Sequence, residues 1–224
     1  METYKINLTL LSDATFGRGD GVAGLVDTEV EHDGYGLPYL RGRTLKGLLR
    51  EECANILFAL DQHAPGHAEH WQDAAQTLFG QPGSSLDDGA GAHIGDARLP
   101  GDLTTAIVSE IDSRQASFKP TDVLDSLTAI RRQTAMDPTG KPERGSLRAM
   151  RVILRDTPFQ AELSFRQPPD ATTLALLAAC ARALRRAGTG RNRGRGRICA
   201  RLCDAQGNDI TDRYFQSFRK EVGS

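Results

Sequence analysis

The stretch RTLKGLLREECANILFALDQ (residues 43–62) carries Leu45, Leu48, Leu49, Cys53, Ile56, Leu57 and Leu60 at intervals of three and four. That spacing gathers all seven on one stripe of an α-helix. A helix with a single apolar stripe has to bury it against a second layer, and the segments around it are written as strands. YKINLTLLS (4–12) precedes it, TTAIVSEI (104–111) and TPFQAELSF (157–165) follow, and RICARLCD (197–204) comes near the end. Each is short and rich in β-branched or alternating apolar residues. DATTLALLAACARALRRAG (170–188) supplies a second long helix, with Asp170 placed to cap its start and Gly188 to end it. HAEHWQDAAQTLFG (67–80) reads as a shorter helix, and ITDRYFQSFRKEV as a terminal one.

The order strand, helix, strand, strand, helix, strand predicts an α+β fold with a ferredoxin-like βαββαβ core. There is no internal repeat and no linker, so residues 1–224 are read as one domain with long insertions. QPGSSLDDGAGAHIG (81–95) has the composition of a surface loop. Residues from about 113 to 150 form a polar inserted region in which LTAIRRQT and LRAMRVIL pair as a hairpin arm around the turn DPTGKP.

With 28 basic and 29 acidic residues the formal net charge is -1, so the chain as a whole does not advertise a nucleic-acid partner. The charge is local instead. GTGRNRGRGR (188–197) packs four arginines and four glycines into ten residues, and no acid occurs from 182 to 201. Glycines let a backbone approach a phosphate chain, and guanidinium groups offer forked donors to its oxygens. The alternative is a solvated turn whose arginines keep it soluble. Arg43, Thr44 and Lys46 fall in the first turn of the leucine helix, where a helix N-terminus suits phosphates.

Other motifs are weaker. GDGVAG (19–24) matches GxGxxG by letters, but LVDTEVEHD follows where a dinucleotide fold needs a helix, so that reading is rejected. The tripeptide Arg18-Gly19-Asp20 is treated as coincidence. His63, His67 and His70 have the spacing HxxxHxxH, yet Pro65 and Gly66 break the helix and no further ligand completes a zinc set, so no metal residues are assigned. Trp71 reads as a packing residue and Phe16 as a weak base-stacking candidate. Cys53 and Cys180 lie on apolar helix faces. Cys199 and Cys203 share one side of the last strand. With no CxxC among the four cysteines, reduced thiols in a cytoplasm are expected. METYKINLTLLSD is too polar for a signal peptide, and no apolar run is long enough to span a bilayer, so no membrane partner is expected.

GLPYLRGRTLKGLLREE (36–52) resembles the segment that opens the first helix in RAMP-superfamily proteins of CRISPR effector complexes, with Arg41 and Arg43 where the family usually has proline and serine. TFGRGDG resembles the family's glycine loop after the first strand. LFG followed by AHIGDARL resembles its "LFG…DA" segment, and GTGRNRGRGRICARL its C-terminal glycine-rich loop. Four such motifs in order cover nearly the whole chain. The chain looks most like the backbone subunit of type III, or type III-derived, effectors. That resemblance implies an RRM-like core, with IRRQTAMDPTGKPERGSLR as a β-hairpin thumb that presses between guide and target RNA. It implies guide-RNA contacts from Arg18, Arg43, Lys46, Arg50, Arg191, Arg193 and Arg195, and thumb contacts from Arg131 and Arg132. It implies cleavage of bound target RNA by a loop aspartate, for which Asp27 is the best match, with Mg²⁺ or another divalent ion assisting. Asp20, Glu29, Glu31 and Asp33 are nearby, and Asp27 reads equally as a turn or capping residue. His32 reads as a solvated loop histidine. Implied partners are guide RNA, complementary target RNA, other effector subunits and further copies of the chain. A non-catalytic RNA-binding scaffold and a guide-processing endoribonuclease stay open beside this. A small-molecule enzyme using the GDGVAG loop would instead carry a nucleotide cofactor and no RNA.

Overall fold

The computed structural model describes residues 3–63, 67–80, 91–143 and 145–223. Strand β1 (Thr3–Leu10) leads through an extended, turn-rich segment into helix α1 (Gly42–His63), and α2 (His67–Phe79) follows. Strand β2 (Ala92–Ile94), helices α3 (Gly101–Ile111) and α4 (Pro120–Leu127), and strands β3 (Thr128–Gln133) and β4 (Arg148–Ile153) come next. The chain closes with β5 (Pro158–Phe165), α5 (Ala171–Ala183), a 3₁₀ turn (Arg191–Arg193), β6 (Ile198–Cys203) and α6 (Thr211–Val222).

One sheet has the order β2-β5-β1-β6, with every pairing antiparallel. Taken with α1 after β1 and α5 after β5, this is the ferredoxin-like arrangement that the sequence order predicts. Alternation selects the buried face. Ile6, Leu8 and Leu10 of β1 sit beside Phe159, Ala161 and Leu163 of β5 and Ile198, Ala200 and Leu202 of β6, all buried. The leucine stripe of α1 closes over this face. Leu45 and Leu49 are fully buried, and such side chains each contribute ~1.5–3 kcal/mol. Residues Thr173 to Ala181 of α5 are buried without interruption, because α6 packs across the helix's outer side. Asp170 caps α5 as expected, its Oδ1 accepting from Thr173 N at 2.7 Å.

The second core strand is not the expected one. TTAIVSEI lies in α3, whose Ile107 and Ile111, four residues apart, lean on the core. Its β-branched residues favour a strand locally, but the turn is helical from Thr104 N bonded to Pro100 O at 3.0 Å onward. The strand in that place is Ala92–Ile94, paired with Phe165 to Leu163, inside a segment expected to be loop; residues 81–90 of that loop lie outside the described ones. Helix α5 stops at Ala183, five residues before Gly188. The chain there peels off to bond β6, with Ile198 N donating to Arg185 O at 3.0 Å.

β3 and β4 form a separate two-stranded sheet, pairing Thr128 with Ile153 through to Gln133 with Arg148. Between them Asp137 Oδ1 accepts from Thr139 N at 2.8 Å and Lys141 N at 2.9 Å, which fixes the DPTGKP turn. The arm is fastened to the segment after β1 by reciprocal bonds between Ala14 and Ile153, of 3.0 and 2.7 Å.

Candidate nucleic-acid interface

The start of α1 turns its first backbone N–H and Lys46 inward. Gly42 N donates to Asp96 Oδ1 at 2.9 Å, so a carboxylate already sits at the positive end of the helix. That carboxylate stands where the sequence offered a place for a phosphate. Glycine is required at position 42, since a Cβ there would lie 2.3 Å from Ile94 O. Lys46 Nζ donates to Ala92 O at 3.1 Å, and burial, with Arg50 beside it, lowers its pKa. Tyr39 Oη and Arg41 both donate to the buried Glu31. The hydrogen bond from Arg41 holds that carboxyl below the usual carboxylate range. The two family-like segments GLPYLRGRTLKG and AHIGDA thus fasten each other. Arg43 and Arg50 remain exposed on the helix.

The Arg/Gly loop is a seated loop with outward arginines. Gly188 has φ +87 and Gly196 φ +68, and a Cβ would come within 2.5 Å of Thr15 O and 2.0 Å of Ala187 O respectively. Thr189 N donates to Thr15 O at 2.9 Å, Ala187 N to Gly196 O at 2.8 Å and Gly196 N to Asp13 O at 2.9 Å. Its basic surroundings are smaller in space than in sequence. Arg182 is paired with Asp212 and lies over the Phe215 ring, and Arg201 lies 3.8 Å from both Asp209 and Asp212. Arg191 reaches Glu51 of α1 at 3.7 Å. Between loop and helix lies a cleft of about 1160 Å³ whose walls include Arg185, Arg186, Arg193 and Arg197 as well as Glu51 and Glu52.

Asp27 stands against the outer end of β4 in the hairpin arm. Its backbone N donates to Ala149 O at 2.8 Å, and its Oδ2 accepts from Ala149 N at 2.7 Å. Thr28 bridges Met150 in parallel, and Arg151 N donates to Thr28 O at 3.0 Å. The segment is in effect a third strand on β4, with Val26, Glu29 and Val30 buried and Asp27 exposed. Beside it a recess of about 300 Å³ is lined by Thr28, Gln133, Met150, Gly190, Arg193 and Arg195. Arg195 packs against the Met150 sulfur. Arg132, exposed on β3, is in register with Ala149, the residue that holds Asp27.

The remaining candidates are spread out. Arg18 is paired with Asp20 in its own loop. Arg131 grips Asp13 Oδ2 with two nitrogens, at 3.0 and 2.8 Å, at the joint between arm and sheet. Phe16 does not offer a stacking face: it is 3% exposed and meets Phe159 edge-on. Trp71 is buried against Phe218, as expected of a packing residue. His70 Nε2 faces Glu221 at 3.4 Å. Among the described residues no group of three or more His, Cys, Asp or Glu could hold a metal ion, and the break at Pro65 and Gly66 lies outside them. Cys53 and Cys180 are buried. No helix among the described residues is long and apolar enough to cross a membrane. GDGVAG is followed by the Asp27 segment, and the next helix begins only at Gly42, which removes the dinucleotide reading. Sequence reasoning missed Asp13, Glu29, Asp96 and Arg151 as organisers of the site, because each acts through a partner far away in the chain.

Residues 7–199 match the family model of the RAMP superfamily. The chain belongs to the RAMP superfamily. No curated protein matches it. Among solved structures, this RAMP chain is similar to a chain of the type III-B Cmr-beta complex bound to cognate target RNA, studied by cryo-EM. The TM-score is 0.60 at 13% identity, over 89% of this chain and 96% of that one. A chain of the apo state of Cmr-beta gives the same values. At that identity the likeness establishes the fold, and the RAMP match adds the family.

Proposed function

We propose that this RAMP protein is a guide-RNA-binding backbone subunit of a CRISPR type III, or type III-derived, effector, and that it cleaves complementary target RNA with Asp27. The observation that carries the reading is the position of Asp27: exposed, fixed on strand β4 of the hairpin arm, next to a recess walled by Arg193 and Arg195. The similar Cmr-beta chains come from an effector studied with cognate target RNA, which supports RNA and other effector subunits as partners.

In this reading the hairpin β3–β4 is the thumb. It displaces a nucleotide of the target, so that its 2′-hydroxyl lines up with the adjacent phosphorus. Asp27 keeps Oδ2 on Ala149 N, which fixes the carboxylate and leaves Oδ1 to accept the hydroxyl proton; as the 2′-oxygen bonds to phosphorus the P–O5′ bond breaks, giving a 2′,3′-cyclic phosphate and a 5′-oxygen that takes a proton from water. Arg193 and Arg195 face the charge that develops on the phosphate oxygens. A single carboxylate fits Mg²⁺, which keeps several waters and binds through one or two carboxylates plus substrate phosphates. Asp27 would be its protein ligand, and the ion would supply charge neutralisation at the scissile phosphate. Arg43 and Arg50 on α1, with the arginines of the cleft, run along the guide backbone. Further copies of the chain extend the groove, in a cytoplasmic ribonucleoprotein.

A second reading, a scaffold that binds guide RNA and cuts nothing, is favoured by the bond from Ala149 N, which gives Asp27 a structural use of its own. Asp27→Asn separates the two, since an amide oxygen still accepts that bond while the base is lost. The guide-loaded effector is given labelled complementary RNA with Mg²⁺ or with EDTA. Evenly spaced cuts that EDTA removes and that Asp27→Asn slows by about 10²-fold or more, with target affinity kept, are expected. Wild-type cutting by Asp27→Asn refutes the role of Asp27. Binding without cuts in either protein makes the chain a scaffold.

A further inference from the structure

Two residues after Asp27 the chain buries a carboxylate. Glu29 is 2% exposed, and its partner is Arg151, whose side chain is 7% exposed. Arg151 Nε lies 2.9 Å from Glu29 Oε1 and 3.2 Å from Oε2. The same guanidinium donates through Nη1 to Asp125 Oδ1 of α4 at 2.8 Å and to Thr128 Oγ1 of β3 at 3.0 Å. Its carbonyl accepts from Thr15 Oγ1 at 2.9 Å, and Glu29 Oε1 also accepts from Val30 N at 2.9 Å. One side chain therefore ties together the Asp27 segment, the helix before the hairpin and the first hairpin strand, while its own backbone forms the second. A pair this buried gives weak net stability against an apolar substitute, so stability alone is a poor reason for it. What it does supply is geometry: the forked donors of arginine fix several partners at once.

We infer that Arg151, with Glu29, is the positioning element that holds the Asp27 carboxylate in register with the thumb strand, so that cutting depends on the pair and target binding does not. With its side chain 7% exposed, Arg151 has almost no surface to offer RNA. It acts through the segment Asp27-Thr28-Glu29, whose bonds to Ala149 and Arg151 make the carboxylate move with the arm. This rests on the cleavage reading given above.

The test compares Arg151→Lys and Asp125→Ala with the wild type and Asp27→Asn in the guide-loaded effector, measuring target affinity and single-turnover cleavage separately. Lysine keeps the charge but cannot serve Glu29, Asp125 and Thr128 together. The expected result is affinity within about twofold, with cleavage slowed about tenfold for Arg151→Lys and about threefold for Asp125→Ala. Adding Arg151→Lys to Asp27→Asn should slow cutting no further, because the two act on one group. Wild-type cutting rates in both variants overturn the inference, and so does affinity falling as far as rate. If Arg151→Lys fails to assemble, Asp125→Ala decides. Asp125 is 70% exposed, and its loss leaves the buried pair with Glu29 in place. Unimpaired cutting by Asp27→Asn would instead bring down the cleavage reading itself, which separates the two failures.

Discussion

The two basic stretches of this chain, Gly42 to Arg50 and Gly188 to Arg197, look alike as sequence and differ in how many of their polar groups the fold itself takes up. The first is turned inward in part: Gly42 N goes to Asp96, Lys46 to Ala92 O, and Arg41 and Tyr39 just before it to Glu31, while Arg43 and Arg50 stay exposed. The second stands two positive-φ glycines on Thr15, in the segment after β1, and on Ala187; Arg193 and Arg197 face outward, while Arg191 reaches Glu51 and Arg195 packs on Met150. The difference lies in what each backbone can reach. A helix start beside a sheet edge meets carbonyls and a carboxylate. A loop raised at its base meets solvent. Charge in a sequence gives the number of cations, and the partners decide how many are free for a phosphate.

The largest effect should come from lowering the raised loop. Gly196→Ala places a Cβ at a positive φ, 2.0 Å from Ala187 O. The strain and the clash together should cost about 3 kcal/mol, read as a shift in the urea midpoint, with weaker guide binding in parallel. A variant that unfolds like the wild type would show that the loop's seat is not what orders it. Next in size, Arg193→Ala with Arg195→Ala should weaken guide binding about tenfold and flatten the salt dependence of log K by about 0.7 per lost phosphate contact. Stability should move little, since neither arginine is in an ion pair among the described residues.

The inward stretch should behave the other way round. Asp96→Ala removes the carboxylate at the start of α1, and Lys46→Ala removes the bond to Ala92. Each should cost about 1 kcal/mol of stability and leave the salt slope of RNA binding unchanged. A flattened slope for Lys46→Ala would mean that its ammonium leaves Ala92 for the RNA, and the contrast between the stretches would narrow.

The outline of this contrast was legible in the chain, and its partners were not. The apolar stripe of α1, the alternation in β1, β5 and β6, the cap Asp170 and the hairpin turn at Asp137 are local signals, and each is where it was expected. The strand Ala92–Ile94 is three residues long. It carries no period of its own and exists because Phe165 to Leu163 lie beside it. TTAIVSEI fails for the complementary reason: its residues suit a strand, but no sheet edge is offered to it, and Ile107 and Ile111 reach the core as a helix. Helix α4 did announce itself, with Pro120 at its start and Asp122 Oδ2 accepting from Lys119 N at 2.8 Å, a signal lost in the long polar stretch around it. Asp27 could be matched to a motif, whereas Arg151 lies 122 residues from Glu29 and the single chain holds nothing that pairs them.

The smallest effect concerns acid stability, and it tests how far Arg41 belongs to the inward stretch. The hydrogen bond from Arg41 is the main reason the Glu31 carboxyl lies below its ordinary range, with Tyr39 contributing against the cost of burial. In the unfolded chain Glu31 returns to its ordinary value. As pH falls through that value the unfolded state takes up a proton before the folded state does, so the stability the pair provides is complete above the unfolded pKa and is lost as pH drops through the lower, folded one. Urea midpoints measured from pH 7 downward should therefore fall less steeply for Glu31→Gln than for the wild type in the acid range, with the two curves approaching each other at the acid end. Arg41→Ala should flatten the same part of the curve. Parallel curves would mean that Arg41, whose side chain is 60% exposed, spends its time in solvent and is available to RNA after all.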